Sequence, residues 1–248
     1  MFKISNELKA VLYFLLLSFI GGFWSGMLLT LPIGKEILSS LQLFPTSTIF
    51  FVLFMLQEIF LLVITYIVIE YNIIRKGLYS AKSVFHFFKQ QFFFPKGQSF
   101  ITLIFGSYLL MIFTLSIISI IAQFLPFTLY GLNGVQKTVE FVGNMQLNTP
   151  LQIILMGVSI VIIAPIVEEI IYRGMVAKLL INKYGEKIGI ISSSIIFALI
   201  HGEMAIIINL FVMGTFLTYI YNKTGSLYYS IFYHIFINGI AFSFIMIS

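Results

Sequence analysis

The chain of 248 residues is 60% hydrophobic and 9% charged, with a mean hydropathy of +1.06. Its 14 basic and 9 acidic side chains are too few to cover the surface of a water-soluble domain of this length, which excludes that class. The absence of cysteine excludes disulfides, thiolate catalysis and cysteine metal sites, all nine acids are glutamate, and the formal charge of +5 is accounted for by lysines gathered on one side of a membrane, without nucleic acid as a partner.

A helix needs about 20 apolar residues to cross a bilayer. Such stretches fall at roughly 10–31, 48–69, 100–124 and 150–170, followed by 187–201, 204–222 and 226–247, of which 187–201 is short. The pattern predicts an all-α fold, a polytopic membrane helix bundle of about seven (six to eight) transmembrane helices in contact with the lipid bilayer. The first stretch follows Lys3 and Lys9 and lacks a small-residue cleavage site, so it reads as a retained anchor rather than a signal peptide. Its Ser18, Gly22 and Gly26 form a stripe that suits close packing inside the bundle.

With seven spans, one side holds Lys3, Lys9, Arg75, Lys76, Lys82, Lys89, Lys96, Arg173, Lys178, Lys183, Lys187 and Lys223, and the other holds Lys35 and Lys137. The asymmetry predicts a multi-pass protein of the cell membrane with its N-terminus in the cytoplasm and its C-terminus outside. In the loop 72–97, Lys82, Lys89 and Lys96 stand among Phe85, Phe88, Phe92 and Phe93. That spacing reads equally as a basic aromatic helix on the cytoplasmic leaflet or as a snorkelling collar. Residues 125–149 carry turn signals at Pro126, Gly131, Asn133-Gly134 and Gly143-Asn144. The chain thus divides into N-terminal transmembrane helices with their basic aromatic loop, 1–150, and a C-terminal helix core, 151–248, that holds nearly all the intramembrane polar residues.

Ionisable groups at membrane depth cost roughly 2.5–3.5 kcal/mol each and are functional candidates for that reason. They are Glu58, Glu168, Glu169, His201 and His234, with Arg173 and Asn238 close by. Pro165 breaks the apolar run and suits the first turn of a new helix, which would put Glu168 and Glu169 where the helix dipole favours negative charge. Glu169 and Arg173 are four apart and can pair; Glu168, about 100° further around, is left free to act as a general base. The turn at Tyr184-Gly185-Glu186 lies nearly midway between Glu168 and His201, so an antiparallel hairpin brings the two to similar depth. His234 and Asn238 share one face of the last span and can aim hydrogen bonds at one spot, as an oxyanion hole needs. Phe197, one turn before His201, can wall the site. Counted from the turn near Gly225, His234 sits shallower than His201 unless the 166–201 hairpin extends into the cytoplasm. Glu58 fits no pattern and reads as a hydrogen-bonding residue inside the bundle.

Among the chemistries of intramembrane proteolysis, aspartyl types need aspartates, and there are none. Site-2 zinc types need His-Glu-x-x-His, which His201-Gly202-Glu203 does not supply, and Gly22-Phe23-Trp24-Ser25-Gly26 has the wrong spacing for a rhomboid serine. A glutamate-activated water remains.

Glu168-Glu169-x-x-Tyr172-Arg173, Phe197-x-x-x-His201 and His234-x-x-x-Asn238, all within 164–238, resemble the three-motif signature of the CAAX-protease and bacteriocin-processing (CPBP, Abi) family of intramembrane peptidases. The resemblance implies that Glu168 activates water with help from His201, that His234 and Asn238 stabilise the oxyanion, and that Glu169 with Arg173 holds the site's shape. It implies no firmly expected cofactor; were a metal such as zinc bound, its ligands would be Glu168, His201 and His234. The substrate implied is a small hydrophobic or membrane-bound peptide, cut in peptide maturation or bacteriocin immunity in a bacterium. The rival function is a non-catalytic immunity or regulatory protein that binds a membrane partner. A transporter, which would show repeated halves and broken helices, has no such signature here.

Overall fold

The computed structural model describes residues 9–16, 46–74, 83–95, 99–122, 124, 149–201 and 206–247. The stripe from Ser18 to Gly26 and nearly all of the 125–149 segment lie outside the described residues. Among those described there is no strand, as lipid requires of segments that must satisfy their own backbone hydrogen bonds.

After the helical stretch 9–16 come α1 (Thr46–Val68, ending in a π-helical stretch Ile69–Ile74), the short α2 (Val84–Lys89) and α3 (Phe100–Ala122). Then follow α4 (Pro150–Tyr184), α5 (Glu186–Ile200), α6 (Ile207–Thr224) and α7 (Leu227–Ile247). Three helices among the described residues are long and apolar enough to cross a membrane: Phe100–Ile121, Pro150–Tyr184 and Leu227–Ile247. The all-helical expectation is met, and the described residues do not confirm the count of about seven spans. At about 1.5 Å per residue, the 15 residues of α5 fall short of a full crossing.

Thr149 caps α4: its side chain accepts from Gln152 N–H while Gln152 reaches back to the Thr149 N–H, a capping box with Pro150 in the first turn. The expected break at Pro165 does not occur. The helix runs through it by passing into π geometry at Val158–Ile163, where Ala164 N–H bonds to Ser159 O, and again at Tyr172–Ala177. A proline inside an α-helix loses a hydrogen bond and clashes with the carbonyl four residues back; one wider turn relieves that clash without ending the helix. Glu168 and Glu169 are therefore mid-helix residues, and no helix N-terminus stabilises them.

At Gly185 the backbone turns with φ +81°, a conformation glycine adopts without strain, and α5 folds back on α4. Gly189 makes the hairpin tight: a Cβ there would stand 2.5 Å from Ile181 Cα. One apolar core joins Phe14, Ile64 and Val68 to Val167, Ile171, Met175, Phe197 and Leu210; a second joins Ile104 and Met111 of α3 to Leu217, Ile220, Tyr229 and Tyr233. The remaining faces of α3, with Ile101, Leu109, Phe113 and Ile120, are exposed and suit lipid.

The 83–95 segment docks on the α6–α7 turn. Leu227 N–H donates to Gln91 O at 2.8 Å, Tyr221 O–H donates to Gln91 Oε1 at 2.5 Å, and Ser226 O–H donates to Phe93 O. Phe87 is buried and Phe88 lies against Gly174, while Phe85 remains 75% exposed. The inner face of this segment packs protein; Lys82 and Lys96, on which the two readings of the loop also rest, lie outside the described residues.

Candidate active site

Three helices bring the sequence candidates together. Glu168, Glu169 and Arg173 come from α4, His201 from the end of α5, and His234 and Asn238 from α7. Glu169 is fully buried and anchors the cluster. Its Oε1 accepts from Arg173 Nη1 at 2.7 Å and from His234 Nδ1 at 2.9 Å. Arg173, 1% exposed, also donates from Nη2 to Gly214 O at 3.3 Å and lies with Cζ 4.4 Å from the centre of the Phe197 ring. Gly214 permits this approach of α6, since a Cβ there would meet the Phe197 ring at 3.1 Å and Ser194 Cα at 3.3 Å.

Glu168, the neighbour left unpaired by helical geometry, has a side chain 20% exposed that stands between the two histidines. His201 Nε2 is 3.9 Å from its Oε1 and His234 Nε2 is 3.7 Å from its Oε2. Both gaps exceed a direct hydrogen bond. Each imidazole is fixed from behind through its other nitrogen. His201 Nδ1 lies 2.7 Å from Phe197 O, and a carbonyl only accepts, so Nδ1 carries a proton and Nε2 is the nitrogen turned toward Glu168. His234 Nδ1 likewise donates to the Glu169 carboxylate. Phe197, fully buried, packs against His201 at 4.6 Å, Tyr172 at 5.2 Å and His234 at 6.1 Å between ring centres. It walls the site as its spacing suggested.

The contact between Glu169 and His234 puts His234 level with the glutamates. From that level the α4–α5 turn at Gly185 is 16 residues away and the α6–α7 turn at Gly225 is 9, so at about 1.5 Å per residue the hairpin tip extends roughly 10 Å beyond its neighbour. The run Asn182–Ile188 is exposed accordingly. This resolves the mismatch in depth that the sequence presents.

Asn238 does not point only where its spacing from His234 suggests. Its Nδ2 donates to Ile160 O at 3.0 Å. In the π register set by Ala164 N–H to Ser159 O, the next donor would be residue 165, and proline has no N–H. The carbonyl left over is the one Asn238 satisfies. An amide nitrogen has two hydrogens, so one remains for other use.

Glu58, on the buried face of α1, is 4% exposed, and its Oε2 has no hydrogen-bond partner among the described residues. It interacts electrostatically with Glu168 and with Tyr172. Among the described residues, no group of three histidine or acidic side chains is disposed to hold a metal ion.

Residues 150–240 match the family model described as type II CAAX prenyl endopeptidase, Rce1-like. No curated protein and no solved structure matches the chain. The resemblance carried by the three motifs thus holds over the segment that builds the site.

Proposed function

We propose that this membrane protein is an intramembrane endopeptidase that hydrolyses a peptide bond in a small hydrophobic or membrane-bound peptide by means of a glutamate-activated water. The observation that carries the reading is the placement of Glu168, a partly open carboxylate flanked at 3.9 and 3.7 Å by imidazole nitrogens whose rings are locked from behind. Such gaps suit groups that share a small polar molecule rather than groups bonded to one another.

In this reading Glu168 takes a proton from water as its oxygen attacks the peptide carbonyl carbon, and His201, with its Nε2 lone pair, orients the same water. Glu169 serves as counter-ion for a second proton on His234. Nε2–H of His234 and the remaining N–H of Asn238 then stabilise the oxyanion. As the C–N bond breaks, the proton held by Glu168 passes to the departing nitrogen, which leaves a carboxylic acid on one fragment and a free amine on the other, and Glu168 is again a carboxylate. Glu169 and Arg173 act by holding geometry. No step passes through a metal.

The division of labour follows: residues 151–248 form the catalytic core, and 1–150 supply helices and the docked loop. The N-terminus lies in the cytoplasm and the C-terminus outside. Peptide maturation and bacteriocin immunity in a bacterium are the processes this chemistry serves. The test is to incubate the full chain, purified into lipid nanodiscs, with a prenylated CAAX reporter and with a panel of hydrophobic peptides, and to identify products by mass spectrometry. Cleavage lost in His201→Ala at equal folded yield supports the reading. Binding of a membrane partner without cleavage of any peptide, unchanged by His201→Ala, would replace it with the non-catalytic function.

A further inference from the structure

Five of the six candidate catalytic residues are bonded, and the sixth, Glu168, is flanked by two of them. Within the six, Glu169 Oε2 and Arg173 Nε are buried without a partner among the described residues, and outside the six the same is true of Glu58 through its Oε2. Its neighbours on the buried face of α1 are Ile64, Thr65, Val68 and Ile69, and Thr65 satisfies its own hydroxyl on Leu61 O at 2.8 Å. Among the described residues of that face, Glu58 is the one that leaves a buried polar atom without a partner. The face packs on α4, and the groups it acts on electrostatically there are Glu168 and Tyr172. Arg173, the buried cation of the site, bonds through Nη1 to Glu169 and through Nη2 to Gly214 O, and its Nε has no partner among the described residues. A carboxyl in such surroundings is costly to keep, and buried polar groups retained without a partner concentrate where function needs them.

We propose that Glu58 is a positioning residue of the site, a carboxyl from the N-terminal region that holds Glu168 across the α1–α4 interface by donating a hydrogen bond, directly or through one water. This rests on the peptidase reading above. Two carboxyls that share an apolar setting resist being charged together, so the buried Glu58 (4% exposed) is the donor and the more open Glu168 the acceptor. The catalytic core would then be incomplete without a residue that lies outside the 150–240 segment.

The test compares Glu58→Leu, which keeps volume and removes polarity, with Glu58→Gln, which keeps a donor, in the full chain in nanodiscs. Turnover of a prenylated CAAX reporter, or of whichever panel peptide the wild type cuts, is read beside the thermal midpoint. The expected result for Glu58→Leu is a kcat lower by about tenfold or more, an unchanged KM and an equal or higher midpoint, with Glu58→Gln recovering most of kcat. A wild-type kcat in Glu58→Leu overturns the proposal. So does a fall in activity that tracks a lowered midpoint, or a Glu58→Gln as impaired as Glu58→Leu. If the wild type cuts nothing, the peptidase reading has failed on its own, and the midpoints of Glu58→Leu, Glu168→Gln and the double variant decide this one: non-additive shifts support the pairing, and additive shifts overturn it.

Discussion

Helices α3 and α4 are alike in apolar character, both long enough to span a bilayer, and they have opposite fates. About 17% of the α3 span is buried, against 33% for α4; α3 touches the bundle through Ile104 and Met111 and leaves its other faces exposed. Helix α4 carries Glu168, Glu169 and Arg173 inward and is packed by α1, α5, α6 and α7. Apolar composition says that a segment enters the membrane, whereas its few polar residues say which face turns away from lipid and what it does there.

The contrast can be broken or sharpened by substitution. The largest effect is expected at His201, where alanine removes an assisting base and should lower kcat by about 10²–10⁴-fold, read as product formed per folded enzyme. Asn238→Ala should cost about 10²–10³-fold in kcat through the oxyanion, with a smaller loss of thermal midpoint because Ile160 O loses its donor. Glu169→Ala leaves Arg173 buried without its anion and should destabilise by about 3–5 kcal/mol, seen as lost folded yield in detergent unfolding. Gly214→Ala should cost about 1–3 kcal/mol by parting α5 from α6. On the lipid face of α3, Phe113→Leu should change stability by no more than about 0.5 kcal/mol. A large effect there would mean that the face is covered by protein.

What was legible in the sequence was what short-range geometry decides. Glu169 and Arg173 pair because four residues make one helical turn, and Glu168 is free for the same reason. Glu168 and His201 meet because they are nearly equidistant from Gly185, whose conformation makes the turn. The failures share a cause as well. Pro165 reads as a helix start, but a π turn, which depends on how the wider helix relaxes, absorbs it and hands Asn238 a structural hydrogen bond. The docking of Gln91 on Tyr221 and Leu227 crosses about 130 residues and leaves no local trace. Glu58 was visible as a polar residue out of place; its neighbours were not, because they depend on how α1 packs across α4.

The central claim is that the Glu168 carboxylate activates water. Glu168→Gln keeps the size and hydrogen bonding of the side chain and cannot take a proton. With variant and wild type at equal level in the membrane, the account expects peptide cleavage, and the peptide maturation or bacteriocin resistance that depends on it, to be lost while the thermal midpoint stays within a few degrees. Full activity in Glu168→Gln would contradict the account and leave the cluster as a structural feature of a protein that acts by binding.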